Sequence, residues 1–138
     1  MDMEKAIIKV VLAEYPDAQA VYLFGSYGTE DEWTDSDVDI AVLLPPVEAK
    51  AAGSLVMGEL HNALGRLLKK DVDLINLRRV PTVLQKEVVM ADRRIYTGDE
   101  YAAEEFEMLT ISFYLKLNEE RAEIVAAALS GGRLYDCD

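Results

Sequence analysis

One run, Asp37-Val38-Asp39-Ile40-Ala41-Val42-Leu43, constrains this chain more than any other: it reads as a strand and yet carries two acids. Side chains two apart on a strand leave the same face. Asp37 and Asp39 therefore project together, while Val38, Ile40 and Val42 face the other way into a core. Two adjacent carboxylates on a half-buried surface repel one another and lose hydration. A divalent cation is the usual remedy, and Mg²⁺ held by one or two carboxylates plus substrate phosphates is a common arrangement.

The upstream residues supply the complementary part. Ala20-Val21-Tyr22-Leu23-Phe24 is a continuous apolar run with aromatic and β-branched members, as expected of a strand buried on both faces. Gly25-Ser26 follows at once, a tight turn whose N–H groups and hydroxyl suit phosphate oxygens. The polar stretch Tyr27 to Ser36 separates it from the acidic strand. A phosphate cradle beside metal-binding carboxylates implies nucleotide chemistry. The order strand, Gly-Ser, ten residues, Asp37-Val38-Asp39 resembles the signature of the DNA polymerase β-like nucleotidyltransferase superfamily.

That resemblance implies two-metal nucleotidyl transfer, which needs a third carboxylate on a neighbouring strand. Asp73, within Asp71-Val72-Asp73-Leu74-Ile75-Asn76-Leu77, is the natural candidate. Asp71 shares its strand parity and is the rival, although it sits at a helix-to-strand junction where an exposed acid needs no explanation. Ser26 either contacts the terminal phosphates or caps a turn. Arg78 and Arg79 either reach a phosphate or are solvated, and Tyr27 and Trp33 either stack on a base or lie against the core. Glu30, Asp31, Glu32 and Asp35 read as a solvated rim.

Composition excludes several other classes. The 138 residues, 51% hydrophobic with mean hydropathy +0.02, support one globular domain spanning 1–138. No run approaches a membrane span, and Met1-Asp2-Met3-Glu4 lacks a signal-peptide pattern. A single cysteine, Cys137, excludes an internal disulfide and fits a reducing cytoplasm. His61 is the only histidine, which leaves little for a zinc site or a Ser-His-Asp triad; it reads as a residue on the flank of a helix. The net charge of −12 disfavours direct binding to a nucleic-acid backbone and suits solubility or a basic partner.

The remaining pattern predicts an α/β (α+β) fold, a small mixed sheet flanked by helices. Ile7, Ile8, Val11 and Leu12 place a helix over Glu4 to Glu14, ended by Tyr15-Pro16-Asp17. Three strands follow from Ala20–Phe24, Val38–Leu44 (stopped by Pro45-Pro46) and Asp71–Leu77. Between the last two, Val47 to Lys70 reads as helical, with Val56, Leu60, Leu64 and Leu67 as its stripe and Gly53, Gly58 and Gly65 weakening it. Pro81 opens a short helix through Val83, Val88 and Val89, and Ile95-Tyr96 is a brief extended piece before a turn at Gly98. A long helix over about 99–129 places Ala102, Phe106, Leu109, Phe113, Leu117 and Ile124 on one face, and 130–138 form a loose tail.

With so little around the core, the chain resembles the minimal nucleotidyltransferase (MNT) family, and within it the antitoxins of HEPN/MNT toxin–antitoxin pairs. The resemblance runs from the Gly-Ser and Asp-x-Asp motif through Asp71-Val72-Asp73-Leu74 to the terminal helix. It implies Mg²⁺-dependent transfer of AMP from ATP to a tyrosine of a partner HEPN ribonuclease, with Asp37, Asp39 and Asp73 as metal-holding catalytic residues and Gly25 and Ser26 at the nucleotide. Two other classes compete: a small-molecule nucleotidyltransferase similar to the aminoglycoside-modifying enzymes, for whose extra acceptor-binding structure 138 residues leave little room, and a non-catalytic toxin-binding module, which would have no need of three carboxylates around one turn.

Overall fold

The computed structural model describes residues 3–24, 38–53 and 58–131. The elements are α1 (Met3–Glu14), β1 (Ala20–Phe24), β2 (Val38–Leu43), α2 (Pro46–Ala52), α3 (Glu59–Leu68) and β3 (Val72–Asn76). A 3₁₀ turn (Leu77–Arg79), α4 (Thr82–Met90), β4 (Arg94–Thr97) and α5 (Glu100–Gly131) complete the chain. The sheet order is β3-β2-β1-β4. β1 pairs antiparallel with β2 and β4, while β2 and β3 are parallel, so the sheet is mixed as expected.

Alternation along the strands builds two cores. Val21, Leu23, Val38, Ile40, Val42, Val72 and Leu74 meet Ile7 and Val11 of α1 and Leu60, Leu64 and Leu68 of α3. On the opposite face Ala20, Tyr22, Phe24, Ala41, Leu43 and Ile75 meet Leu77, Val88 of α4, and Ala103 and Phe106 of α5. Both faces of β1 and β2 are covered, which is why these strands read as nearly unbroken apolar runs.

The structure departs from the sequence pattern in three places. The helical stretch expected over Val47 to Lys70 is divided into α2 and α3. Gly53 ends α2 at φ 63°, a left-handed conformation that favours glycine. Buried Asn76 secures that end: its Nδ2 donates to the carbonyls of Ala49 (2.9 Å) and Gly53 (2.7 Å). Val56 of the expected stripe lies outside the described residues, and Leu68 is buried where Leu67 is only half-buried. Second, Ile95-Tyr96 belongs to a fourth strand. Four residues carry no period of their own; β4 exists because β1 offers it a free edge, and Gly98 lets the chain pass within 2.5 Å of the Ala18 carbonyl, measured from where a Cβ would stand.

Third, the buried face of α5 is Ala103, Phe106 and Thr110, rotated from the predicted stripe. Leu109, Phe113, Leu117 and Ile124 are exposed, and α5 packs on α4 and on the sheet. Asp99 caps the helix, accepting from the Ala102 N–H at 3.0 Å. Tyr22, buried in the sheet, donates its hydroxyl to Glu107 at 2.7 Å, and Arg94 donates to the same carboxylate oxygen at 2.9 Å. Burial, and then the Glu107 carboxylate, push the Tyr22 phenol well above its ordinary range, so it remains a donor.

Asn76→Ala removes both donors at the end of α2 and leaves two carbonyls without them. The expected loss is about 2–3 kcal/mol, read as a lowered midpoint in urea with an unchanged slope; an unaltered midpoint would show that α2 ends there without Asn76.

Candidate functional site

Three strand ends meet at one end of the sheet. β2 and β3 are in parallel register with Asp39 opposite Asp73, and β1 is antiparallel with Phe24 opposite Asp39. Residues opposite one another on neighbouring strands share a face and lie about 4.8 Å apart along the hydrogen-bonding direction. The pairing begins a step earlier, since the Val38 N–H donates to the Asp71 carbonyl at 3.0 Å. Asp39 is half-buried and Asp73 exposed, on the face that carries Ala41 and Ile75 further along. The structure thus brings together two of the three predicted acids.

Gly25, Ser26 and Asp37 lie outside the described residues, as do Tyr27, Trp33 and the acidic rim from Glu30 to Asp35. Connectivity still bounds them: Gly25 directly follows Phe24, and Asp37 directly precedes Val38. Among the described residues alone, no group of three His, Cys, Asp or Glu side chains could hold a metal ion. The two acids in register are hard oxygen donors of the type that Mg²⁺ prefers.

The rival and accessory residues go elsewhere. Asp71 lies at the mouth of β3 and lines a groove beside α3. Arg78 sits at the opposite end of the sheet: its Nε donates to the Leu44 carbonyl and its Nη2 to Gln19 Oε1 at 2.6 Å, with the guanidinium 5.5 Å from the Phe106 ring centre. Leu44 follows the last residue of β2, so five residue steps along the strand, roughly 16 Å, separate Asp39 from the carbonyl that this arginine holds. Its partial burial lowers the guanidinium's proton affinity. Arg78 is a structural tie between strands and α5, and Arg79 is exposed. His61 is on the flank of α3, donating from Nε2 to the Val72 carbonyl at 2.8 Å.

In the sequence pattern Lys70 only bounds the helical stretch, and nothing singles out Arg66 or Lys69. The structure gathers Arg66, Lys69 and Lys70 in one groove with His61, Asn62, Gly65, Asp71 and Val72. Arg66 lies in the last turn of α3 and Lys69 and Lys70 just past its end, so their closeness in sequence was the available signal.

Comparison with known proteins agrees with the geometry. The model of the family "Polymerase beta, Nucleotidyltransferase" matches residues 6–101. The protein adenylyltransferase MntA of Shewanella oneidensis is 38% identical over 122 residues, 88% of this chain and 84% of that protein. A crystal structure of a toxin–antitoxin with AMP-PNP matches with TM-score 0.73 and 36% identity over 92% of this chain and 98% of its own. The MNT antitoxin in complex with the tri-AMPylated Shewanella oneidensis HEPN toxin matches with TM-score 0.68 and 36% identity, covering 93% and 97%.

Like charges directly opposite on paired strands are destabilising by about 0.2–1 kcal/mol. Asp73→Asn should therefore be more stable than the parent chain by about that amount in buffer containing EDTA, seen as a slightly higher melting temperature; a lower melting temperature would mean that the carboxylate is tied into the fold.

Proposed function

The chain belongs to the polymerase β nucleotidyltransferase family, so its substrate is a nucleotide, and from that premise we propose that it is a cytoplasmic antitoxin that transfers AMP from ATP to a tyrosine of a cognate HEPN ribonuclease toxin, silencing it. The observation that carries this reading is Asp39 in register with Asp73 beside the end of β1, which Gly25-Ser26 directly follow. Its support is the likeness to MntA and to the antitoxin of an AMPylated HEPN complex, over nearly the whole chain. Use of ATP and a single cysteine suit the cytoplasm, and no described helix is long and apolar enough to cross a membrane.

Asp37, Asp39 and Asp73 would hold Mg²⁺, which supplies charge neutralisation at the triphosphate and lowers the proton affinity of the acceptor hydroxyl. Gly25 and Ser26 hold the phosphates through backbone N–H groups and the serine hydroxyl. The tyrosine oxygen bonds the α-phosphorus of ATP, the bond to the β-phosphate's bridging oxygen breaks, pyrophosphate leaves with that electron pair, and the phenolic proton passes to water. Residues 1–138 act as one minimal nucleotidyltransferase domain, whose long helix faces the partner.

The 32-residue α5 is about 48 Å long, yet among its described side chains the buried ones, Ala103, Phe106 and Thr110, lie in its first third. Met108, Leu109, Phe113, Leu115 and Leu117 are exposed beyond or beside them. An apolar surface of this kind marks an interaction site, and its occupant in this reading is the HEPN toxin.

Asp37→Ala with Asp39→Ala should abolish AMP addition, seen as loss of the mass increment on the toxin, while circular dichroism reports an intact fold. Wild-type transfer by the double variant would sink the catalytic assignment. Separately, Phe113→Asp with Leu117→Asp should weaken toxin binding at least tenfold in calorimetric titration with no change in melting temperature. A large fall in melting temperature would instead make these residues part of the antitoxin's own core.

A further inference from the structure

The chain carries a net charge of −12, yet one concavity of about 870 Å³ between α3 and β3 is lined by Arg66, Lys69 and Lys70, with a single acid among the described residues, Asp71. Lys69, in the left-handed conformation that ends α3, turns the chain into β3 and so places its neighbours Lys70 and Asp71 on the groove wall. His61 braces that wall through Val72. Its Nε2 donates to a carbonyl, and Nδ1 is buried with no partner among the described residues. Three cations against one acid make this an anion-holding surface in a chain whose overall field repels anions.

Position gives the groove its meaning. Asp71 and Val72 line it, and Asp73 comes next along the strand, so the groove adjoins the strand end that carries the predicted acids, while α3 covers the other face of the sheet. β3 is the outer strand of the sheet, and a polymer leaving Asp39 and Asp73 passes around this edge to reach it. The volume is within the range of nucleotide-sized sites. An arginine offers a forked donor to a phosphodiester and lysines offer point charges.

We infer that this groove holds the phosphates of AMP units already transferred to the acceptor while the next unit is added, a role that rests on the AMP-transfer reading above. A relative's toxin partner is tri-AMPylated, and repeated addition makes the acceptor progressively more anionic. In each later step a ribose hydroxyl of the last unit bonds the α-phosphorus of a new ATP. Pyrophosphate leaves with the electron pair of the broken P–O bond, and the hydroxyl proton passes to water. Every step adds one phosphodiester charge, and the cations of the groove retain the chain against the repulsion of the protein's surface.

The test uses the full chain and a fluorescent, 5′-phosphorylated triadenylate at low salt. Arg66→Glu with Lys69→Glu should weaken binding at least tenfold, and Arg66→Gln and Lys69→Gln singly by several-fold with unchanged melting temperature. Binding that ignores all of these substitutions overturns the inference. So does displacement of the probe by inorganic phosphate at equal concentration, which would mean a general anion site, or tenfold tighter binding of a long single-stranded RNA, which would mean an RNA surface. With toxin and Mg-ATP, the ratio of di- and tri-AMPylated to mono-AMPylated toxin should fall at least fivefold in the Glu variant; an unchanged ratio also overturns it. Absence of any AMP addition by the parent chain would overturn the functional reading instead, and the triadenylate titration would still decide the groove.

Discussion

The parallel register of β2 on β3 is the constraint on which the rest of this structure depends. A slip of one residue exchanges the two faces of a strand, and here the exchange would be severe. Val38, Ile40 and Val42 would turn away from α1 and α3, and Asp39 would enter that core in their place. Each large apolar side chain withdrawn from water contributes about 1.5–3 kcal/mol, and an unpaired buried carboxylate opposes folding by several kcal/mol more. The same burial that stabilises the sheet therefore sets Asp39 opposite Asp73 at its end.

Function in this arrangement follows from an asymmetry between the two ends of the sheet. At the Leu44 end, Arg78 is consumed by structure: a backbone carbonyl, Gln19 and the face of Phe106 satisfy it. At the Asp39 end, acids stand where β2 and β3 begin, beside the last residue of β1. Like charges held together by register lose hydration and repel, and in the proposed reading a cation with nucleotide phosphates would relieve both terms. The helix α5 is anchored by a third device, the Tyr22–Glu107–Arg94 cluster, which ties it to β1 and β4 through one carboxylate oxygen.

The strands that carry the acids were legible because they are buried on both faces, so hydrophobicity, β-branching and the Asp-x-Asp spacing all agreed. β1 begins and ends where its apolar run does, and β2 and β3 differ from expectation by a residue at their ends. β4 was not legible as a strand, since four residues of mixed character become one only when β1 supplies hydrogen-bond partners. The division of α2 from α3 was half visible: the glycines were noted as weak points, but which of them would break the helix depended on Asn76, 23 residues further along, reaching the carbonyl of Gly53.

What this sequence determined by itself was chemistry and local order: the acid pair's spacing, the Gly-Ser motif and the apolar runs, all set by neighbours a few residues apart. What only the tertiary structure decided was every relation across long separations. The pairing of Asp39 with Asp73, the assignment of Arg78 to structure, and the outward turn of Leu109, Phe113 and Leu117 are of this kind. The physical reason is that an apolar stripe on α5 wider than its contact with α4 and the sheet leaves several rotations consistent with pattern alone. Packing chose the one that buries Ala103, Phe106 and Thr110, and in doing so left the rest of the stripe to solvent.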